Sequence, residues 1–178
     1  LVTGIGCSGR FGSYTATYGF HGVHGRALAV GMGIKIARPD LTVLVVGGDG
    51  DGFAIGGNHF LHAGRRNVDL TYIVMDNQVY GQTKGQASPT TLPDWTGSKL
   101  TPRGPGAVPI EPLPIALAAG ANFIARGFAG DPKGLAAIVL EARGSPRLLD
   151  LTATRRLHRR ALAGGRPLLL LRHAGRAE

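Results

Sequence analysis

The sequence predicts an α/β fold, an open, mostly parallel sheet with helices on both faces. Three observations lead there. Apolar runs rich in β-branched residues recur at 42–46 and 70–75 without polar alternation, as strands buried on both faces do. Between them lies a helix-like segment, 58–66, long enough for a crossover. Each run stops on a polar turn, Gly47-Gly48-Asp49-Gly50-Asp51-Gly52 after the first and Asp76-Asn77 after the second. Both turns therefore fall at the carboxyl edge of neighbouring parallel strands, where ligands of open α/β sheets bind.

The remaining elements follow in chain order. Residues 1–6 read as the end of a strand, and Cys7-Ser8-Gly9-Arg10 as the turn after it. Residues 14–25 are rich in Gly and aromatic side chains and hold His21 and His24. Two imidazoles three apart, with no third ligand nearby, suit a pocket lining better than a metal. Residues 26–37 read as an apolar helix whose small residues Ala27, Ala29, Gly31 and Gly33 permit close packing, ended by Arg38-Pro39-Asp40. Directed at the pocket, its N-terminus would favour an anion; a tightly packed core helix is the equal alternative. In the crossover helix, Arg65 and Arg66 fall in the last turn, where positive charge complements the helix dipole.

Residues 79–90 form a polar, Gly-containing loop suited to wrap a cofactor, with Lys84 either a phosphate or substrate contact or a solvated charge. The connector 88–114, rich in Pro, Thr and Gly around Trp95, is assigned to a subunit contact, because loops of such length in compact domains are usually functional. Residues 112–119 read as a short helix and 122–126 as a strand. Asp131-Pro132 is an N-cap with Pro at the first helical position, opening a helix to about residue 142.

A chain of 178 residues suits one domain, large enough to bury roughly two-thirds of its unfolded surface. A single cysteine excludes an internal disulfide and any site built from several thiolates. No signal-like segment or long apolar span is present, and the run 167–171 is far too short to cross a bilayer. A soluble, cytoplasmic protein without a membrane partner is expected. The net charge of +9 invites a nucleic-acid reading, but the charge is unevenly placed. Residues 1–140 hold 11 basic and 8 acidic side chains, whereas 141–178 hold nine Arg, no Lys and three acids. No nucleic-acid partner is therefore expected of the domain; a basic nucleic-acid- or membrane-binding segment is the alternative for the tail alone.

Glycines on either side of Asp49 let backbone N–H groups approach a phosphate closely. A carboxylate and an amide oxygen are hard ligands of the kind Mg²⁺ takes beside phosphate oxygens. The chemistry points to a metal-bridged diphosphate. Other readings fit less well. A D-x-D-G after a strand also opens haloacid dehalogenase-type phosphatases, with Asp49 as nucleophile and Asp51 as acid, but Phe53 stands where Thr, Ser or Val is usual and no acidic pair follows downstream. An EF-hand loop from Asp49 would need Gly at Ala54 and Glu at Phe60, and fails. The plain reading is a Gly/Asp turn between two core elements.

Gly48-Asp49-Gly50, 26 intervening residues and Asn77 resemble the thiamine diphosphate signature. With GIGCSGR at 4–10, YGFHGVHGRALAVGMGIKIA at 18–37, VVGGDGDGFAIGGNHF and YIVMDNQVYGQTKGQASPT, they resemble the β subunit of 2-oxoacid:ferredoxin oxidoreductases, the 2-oxoglutarate branch above all, over residues 1–141. The resemblance implies the thiamine diphosphate-binding fold. It implies Asp49, Asn77 and the backbone oxygen of Val79 as Mg²⁺ ligands, and Ser8, Gly9, Arg10, His24, Gly25, Gly48, Asp49, Gly50, Asp51, Tyr80, Gly81 and Thr83 as cofactor contacts. No catalytic residue is implied in this chain, because the glutamate that activates the cofactor comes from the α subunit. The implied reaction is oxidative decarboxylation of a 2-oxoacid, 2-oxoglutarate rather than pyruvate, to an acyl-coenzyme A with electrons passing to ferredoxin. The implied partners are the α subunit, ferredoxin, the 2-oxoacid and coenzyme A.

Departures from the pattern matter as much. The family holds a four-iron, four-sulfur cluster with an upstream Cys-x-x-Cys, a cysteine matching Cys7 and a later Ser-Pro-Cys; only Cys7 is here. Four thiolates are the usual requirement, so this chain by itself is not expected to hold the cluster. The expected organisation is a thiamine diphosphate-binding domain over 1–142, shortened at its N-terminus, and an Arg/Ala-rich, poorly ordered tail over 143–178. The abrupt change near residue 143 suggests a shifted reading frame or a degenerate end. Another frame of the underlying DNA should then encode a strand followed by Ser-Pro-Cys, and its absence would sink that idea. A non-catalytic remnant lacking its cluster, or a haloacid dehalogenase-like phosphatase, are the alternative functions.

Overall fold

The computed structural model describes residues 1–134 and the backbone of 167–172. Strand β1 is Val2–Thr3, followed by a 3₁₀ segment over Cys7–Tyr14 and β2 at Phe20–His21. Helix α1 spans Ala27–Ala37, an apolar helix stopped where Pro39 biases Arg38 out of helical geometry. Strand β3, Leu44–Gly48, runs into a π-helical turn over Gly50–Ile55 and then α2, Gly57–Arg66. Asn67 closes α2 in the left-handed conformation (φ 48°), its N–H bonded to Ala63 O. Strand β4 is Thr71–Met75; the short strands β5 (Val79–Tyr80) and β6 (Gln86–Ala87) pair as a hairpin. Helix α3, Pro112–Ala119, starts on proline and ends at Gly120 (φ 96°), and β7 is Phe123–Phe128.

These elements form a six-stranded sheet of order β2-β1-β3-β4-β8-β7, where β8 is Pro167–Arg172. Strands β2, β1, β3 and β4 are mutually parallel. The chain steps from β1 outward to β2, then returns past β1 to β3 and on to β4. Right-handed crossovers put connections of opposite direction on opposite faces. The packing agrees: a Cβ on Gly31 of α1 would meet Val45, while a Cβ on Gly48, on the other side of β3, would meet Ser8 of the 3₁₀ segment. Helix α2 packs between α1 and α3, and this layer covers the core of Leu28, Met32, Val45, Phe60, Leu70, Tyr72 and Val74. The reversal between β1 and β3 opens a crevice at their carboxyl ends.

One expectation is corrected. The run at 167–172, for which the sequence predicts no strand, forms β8, antiparallel to β4 on one side and β7 on the other. Unlike the runs of β3 and β4, it is a run of leucines with no β-branched or aromatic residue to favour a strand over a helix. The rest of 143–178, with its expected poor order, lies outside the described residues. The helix expected from Asp131 begins at Pro132, with Asp131 Oδ1 accepting from Gly134 N at 3.0 Å; its continuation lies outside them too. Among the described residues no helix is long and apolar enough to cross a membrane.

Candidate functional site

Parallel pairing of Gly48 with Met75 brings the two polar turns side by side. Asp49 leaves β3 and Asp76-Asn77 leave β4 at the same edge, and Gly4-Ile5 leave β1 beside them, with Gly4 N bonded to Val46 O at 3.1 Å. Between these turns, the 3₁₀ segment and the β5 hairpin lies a cleft of about 640 Å³.

Most of the sequence-predicted residues line it: Cys7, Ser8, His24, Gly48, Asp49, Gly50, Asp51, Asn77, Val79, Tyr80, Gly81 and Thr83. Ser8 is buried, and its Oγ has no hydrogen-bond partner among the described residues. Tyr80 lies against Gly50 so closely that a Cβ there would sit 2.2 Å from the ring, which is why glycine is required. The ring also meets His24 edge-on at 6.5 Å. Asn77 Oδ1 accepts from Val79 N at 3.2 Å. Thr83 Oγ1 donates to Tyr80 O at 3.3 Å.

Four residues singled out in the sequence stand elsewhere. Gly9 and the exposed Arg10 line an adjoining cleft of about 480 Å³ with His21. Gly25 does not line the main cleft; it takes φ 71° and donates its N–H to Asp51 Oδ1 at 2.7 Å. Lys84 does not line it either, and sits in the left-handed region (φ 66°) at the hairpin turn.

The two aspartates of the GDGD turn part company. The Asp51 carboxylate is turned into the fold: Oδ1 accepts from Ile5 N at 3.0 Å and Gly25 N at 2.7 Å, and His24 Nδ1 lies 3.0 Å away. Asp49 is equally buried, yet among the described residues the partner of its carboxylate is one hydroxyl, Thr90 Oγ1 at 2.9 Å. That same hydroxyl lies 2.8 Å from Asp76 Oδ1. Burial and the neighbouring Asp49 charge push the Asp76 carboxyl up to about 6. Burial and the charges of Asp51 and Asp49 likewise push the phenols of Tyr72 and Tyr80 upward.

Sequence reasoning missed Asp76 and Thr90. Asp76 was legible as a neighbour of Asn77. Thr90 lay where the loop 79–90, expected to wrap a cofactor, overlaps the connector 88–114 assigned to a subunit contact, and only the run Ser88-Pro89-Thr90-Thr91 marked hydroxyl groups there.

The site is thus a concentration of negative charge. Among the described residues no lysine or arginine forms an ion pair with Asp49, Asp51 or Asp76. No three His, Cys, Asp or Glu side chains gather to hold a metal among them either. A cation here must draw on amide and peptide oxygens and on oxygens of a ligand, as Mg²⁺ does beside phosphates. The donor set of Asp49, Asn77 and the Val79 peptide fits such a cation. Cys7 is exposed and is the sole cysteine, so these residues do not fit a four-thiolate cluster.

Known proteins of one family resemble the chain over most of its length. The profile of the thiamine pyrophosphate enzyme, C-terminal TPP binding domain, matches residues 4–151. The chain is 49% identical over 142 residues to the 2-oxoglutarate synthase subunit KorB of Archaeoglobus fulgidus, covering 80% of this chain and 53% of that protein. It is 50% identical over 144 residues to the 2-oxoacid:ferredoxin oxidoreductase subunit beta of Saccharolobus solfataricus, covering 80% and 47%. Among solved structures it resembles the 2-oxoglutarate:ferredoxin oxidoreductase from Magnetococcus marinus with 2-oxoglutarate, coenzyme A and succinyl-CoA bound, at 50% identity and a TM-score of 0.75, covering 78% of this chain and 47% of that one. The chain spans about half the length of these relatives. The phosphatase alternative falls with the match, as does an acid role for an Asp51 committed to backbone N–H groups.

Proposed function

Because the chain belongs to the thiamine pyrophosphate enzymes through their C-terminal TPP-binding domain, we propose that it serves as the β subunit of a 2-oxoacid:ferredoxin oxidoreductase and supplies the metal–diphosphate half of its cofactor site. The observation that carries this reading is the juxtaposition of Asp49 and Asn77 at one sheet edge, in a cleft whose carboxylates have no cationic partner among the described lysines and arginines.

Asp49, the Asn77 amide oxygen and the Val79 peptide oxygen would hold Mg²⁺. Gly48 and Gly50 keep the backbone open to the diphosphate, with Ser8, Gly81 and Thr83 around it and His24 and Tyr80 flanking. The bound thiamine diphosphate supplies a carbanion centre and an electron sink for decarboxylation of the 2-oxoacid. This chain's residues bind and orient it and exclude water. Asp51 holds the loops at Ile5 and Gly25 that wall the cleft. The activating carboxylate is assigned to an α subunit. 2-Oxoglutarate is the preferred substrate, coenzyme A the acyl acceptor and ferredoxin the electron acceptor, in the cytoplasm; the relatives' names support the substrate and acceptor assignments.

Calorimetric titration of the chain with thiamine diphosphate, with and without Mg²⁺, tests the half-site. Mg²⁺-dependent binding abolished by Asp49→Ala or Asn77→Ala is expected. A folded chain that binds nothing would overturn the half-site reading.

A further inference from the structure

Three buried hydroxyl residues in one turn of the connector, Ser88, Thr90 and Thr91, touch both halves of the site. Thr90 Oγ1 lies 2.9 Å from Asp49 Oδ2 and 2.8 Å from Asp76 Oδ1. Thr91 Oγ1 donates to Gln78 O at 2.5 Å, and Gln78, at φ 60°, is the residue between Asn77 and Val79. Ser88 ties the two threonines together: its N–H donates to Thr91 Oγ1 at 2.7 Å, and its Oγ lies 3.2 Å from Thr90 Oγ1 and 3.3 Å from Thr91 Oγ1. All three are at most 5% exposed. One end of this network grips the carboxylate at the end of β3, and the other grips the turn that follows β4. The network thereby joins two ligand-bearing turns that are far apart in the chain, since Asp49 and Asn77 are separated by 27 intervening residues.

We propose that Ser88, Thr90 and Thr91 form a hydroxyl clamp, with Thr90 as a positioning residue, that sets the separation between Asp49 and the Asn77–Val79 turn and so tunes the site to a small divalent cation. This rests on the half-site reading above. Mg²⁺ takes ligands at about 2.0–2.1 Å in strict octahedral geometry, whereas Ca²⁺ accepts about 2.3–2.6 Å and irregular surroundings. A clamp that fixes one carboxylate oxygen and one ligand-bearing turn imposes a spacing, and spacing discriminates between these ions. Thr90 is not among the proposed metal ligands; it acts through the Asp49 carboxylate it holds, in the way groups behind a metal's ligands orient them.

The test is calorimetric titration of the full chain with Mg²⁺ and separately with Ca²⁺, each with thiamine diphosphate present, for the parent, Thr90→Val, Thr90→Ser and Asp49→Ala. Valine keeps the shape and removes the hydroxyl; serine restores it. Thr90→Val is expected to weaken Mg²⁺ by about 10- to 100-fold, the usual range for such outer groups, to weaken Ca²⁺ markedly less, and to be rescued by Thr90→Ser. Near-ultraviolet circular dichroism without metal should stay that of the parent, so that a folding defect is not mistaken for the effect; should Thr90→Val be unfolded, a Thr90→Ser that keeps the parent's Mg²⁺ affinity beside a folded Thr90→Ala that loses it decides the same question. Parent-like Mg²⁺ affinity and Mg²⁺ over Ca²⁺ preference in Thr90→Val, with Asp49→Ala abolishing binding, overturns the clamp and leaves the half-site standing. A parent chain that binds neither ion overturns both.

Discussion

The Asp51 carboxylate accepts a 2.7 Å hydrogen bond from Gly25 N, across 26 residues of sequence. With the 3.0 Å bond from Ile5 N, it fastens the loops after β1 and before α1 to the turn after β3. The glycine spacing around it is set by the same contact, since a Cβ on Gly4 would lie 1.9 Å from Asp51 Oδ2.

Asp51→Ala strands both N–H groups in the interior, and a buried donor without an acceptor costs about 1–3 kcal/mol. A loss of about 3 kcal/mol is expected from the urea unfolding midpoint, with Asp51→Asn, which keeps an acceptor oxygen, losing clearly less. A change within about 0.5 kcal/mol, as for an ordinary surface substitution, would show that these bonds do not hold the loops.

Gly50→Ala drives a methyl group into the Tyr80 ring, 2.2 Å from Cε1. Overpacking of this kind costs roughly 1–3 kcal/mol. Removing the ring in Gly50→Ala/Tyr80→Ala should recover most of that loss. The double-mutant cycle should then show a coupling of about 0.5 kcal/mol or more. Strict additivity would mean that the ring moves aside freely.

Asp76 gives the metal-free chain a defined pH response. Its carboxyl is raised from 3.8 to about 6, by burial and then by the Asp49 charge. The folded chain holds a proton that the unfolded chain releases, so this contribution is fully present below pH 3.8 and is lost as pH rises through about 6. At about 1.4 kcal/mol for each pH unit between those two values, stability falls by about 3 kcal/mol across that window. Unfolding measured in the presence of a chelator should show this decline, and Asp76→Asn should flatten it. An unchanged slope in the variant would assign the decline to another group.

Reconstitution of the chain with iron and sulfide should yield no stable four-iron, four-sulfur cluster, because Cys7 is its only thiol. Visible absorption and Mössbauer spectra after desalting decide this. A cubane signature that Cys7→Ser removes would imply a cluster shared between chains.

Much of the site was legible in the sequence itself. The uninterrupted apolar runs of β3 and β4, the helix-length segment between them and the polar turns that stop each run are properties of contiguous sequence, and parallel pairing follows from them. That pairing alone carries Asp49 and Asn77 to one edge. The start of α3 on Pro112 and the cap at Asp131 were equally local. What local pattern alone could not assign were the partners of two aspartates two residues apart in one turn, which the resemblance separated only as a metal ligand and a cofactor contact. The fold gave Asp51 to the N–H groups of Ile5 and Gly25 and left Asp49 to Thr90. The path of the 88–91 turn across the β4 end and the insertion of β8 between β4 and β7 were likewise decided only in three dimensions. The reason is physical: propensity and period act over neighbouring residues, whereas the partner of a buried polar group is chosen by which distant loops the packed core brings within about 3 Å, one hydrogen bond's reach.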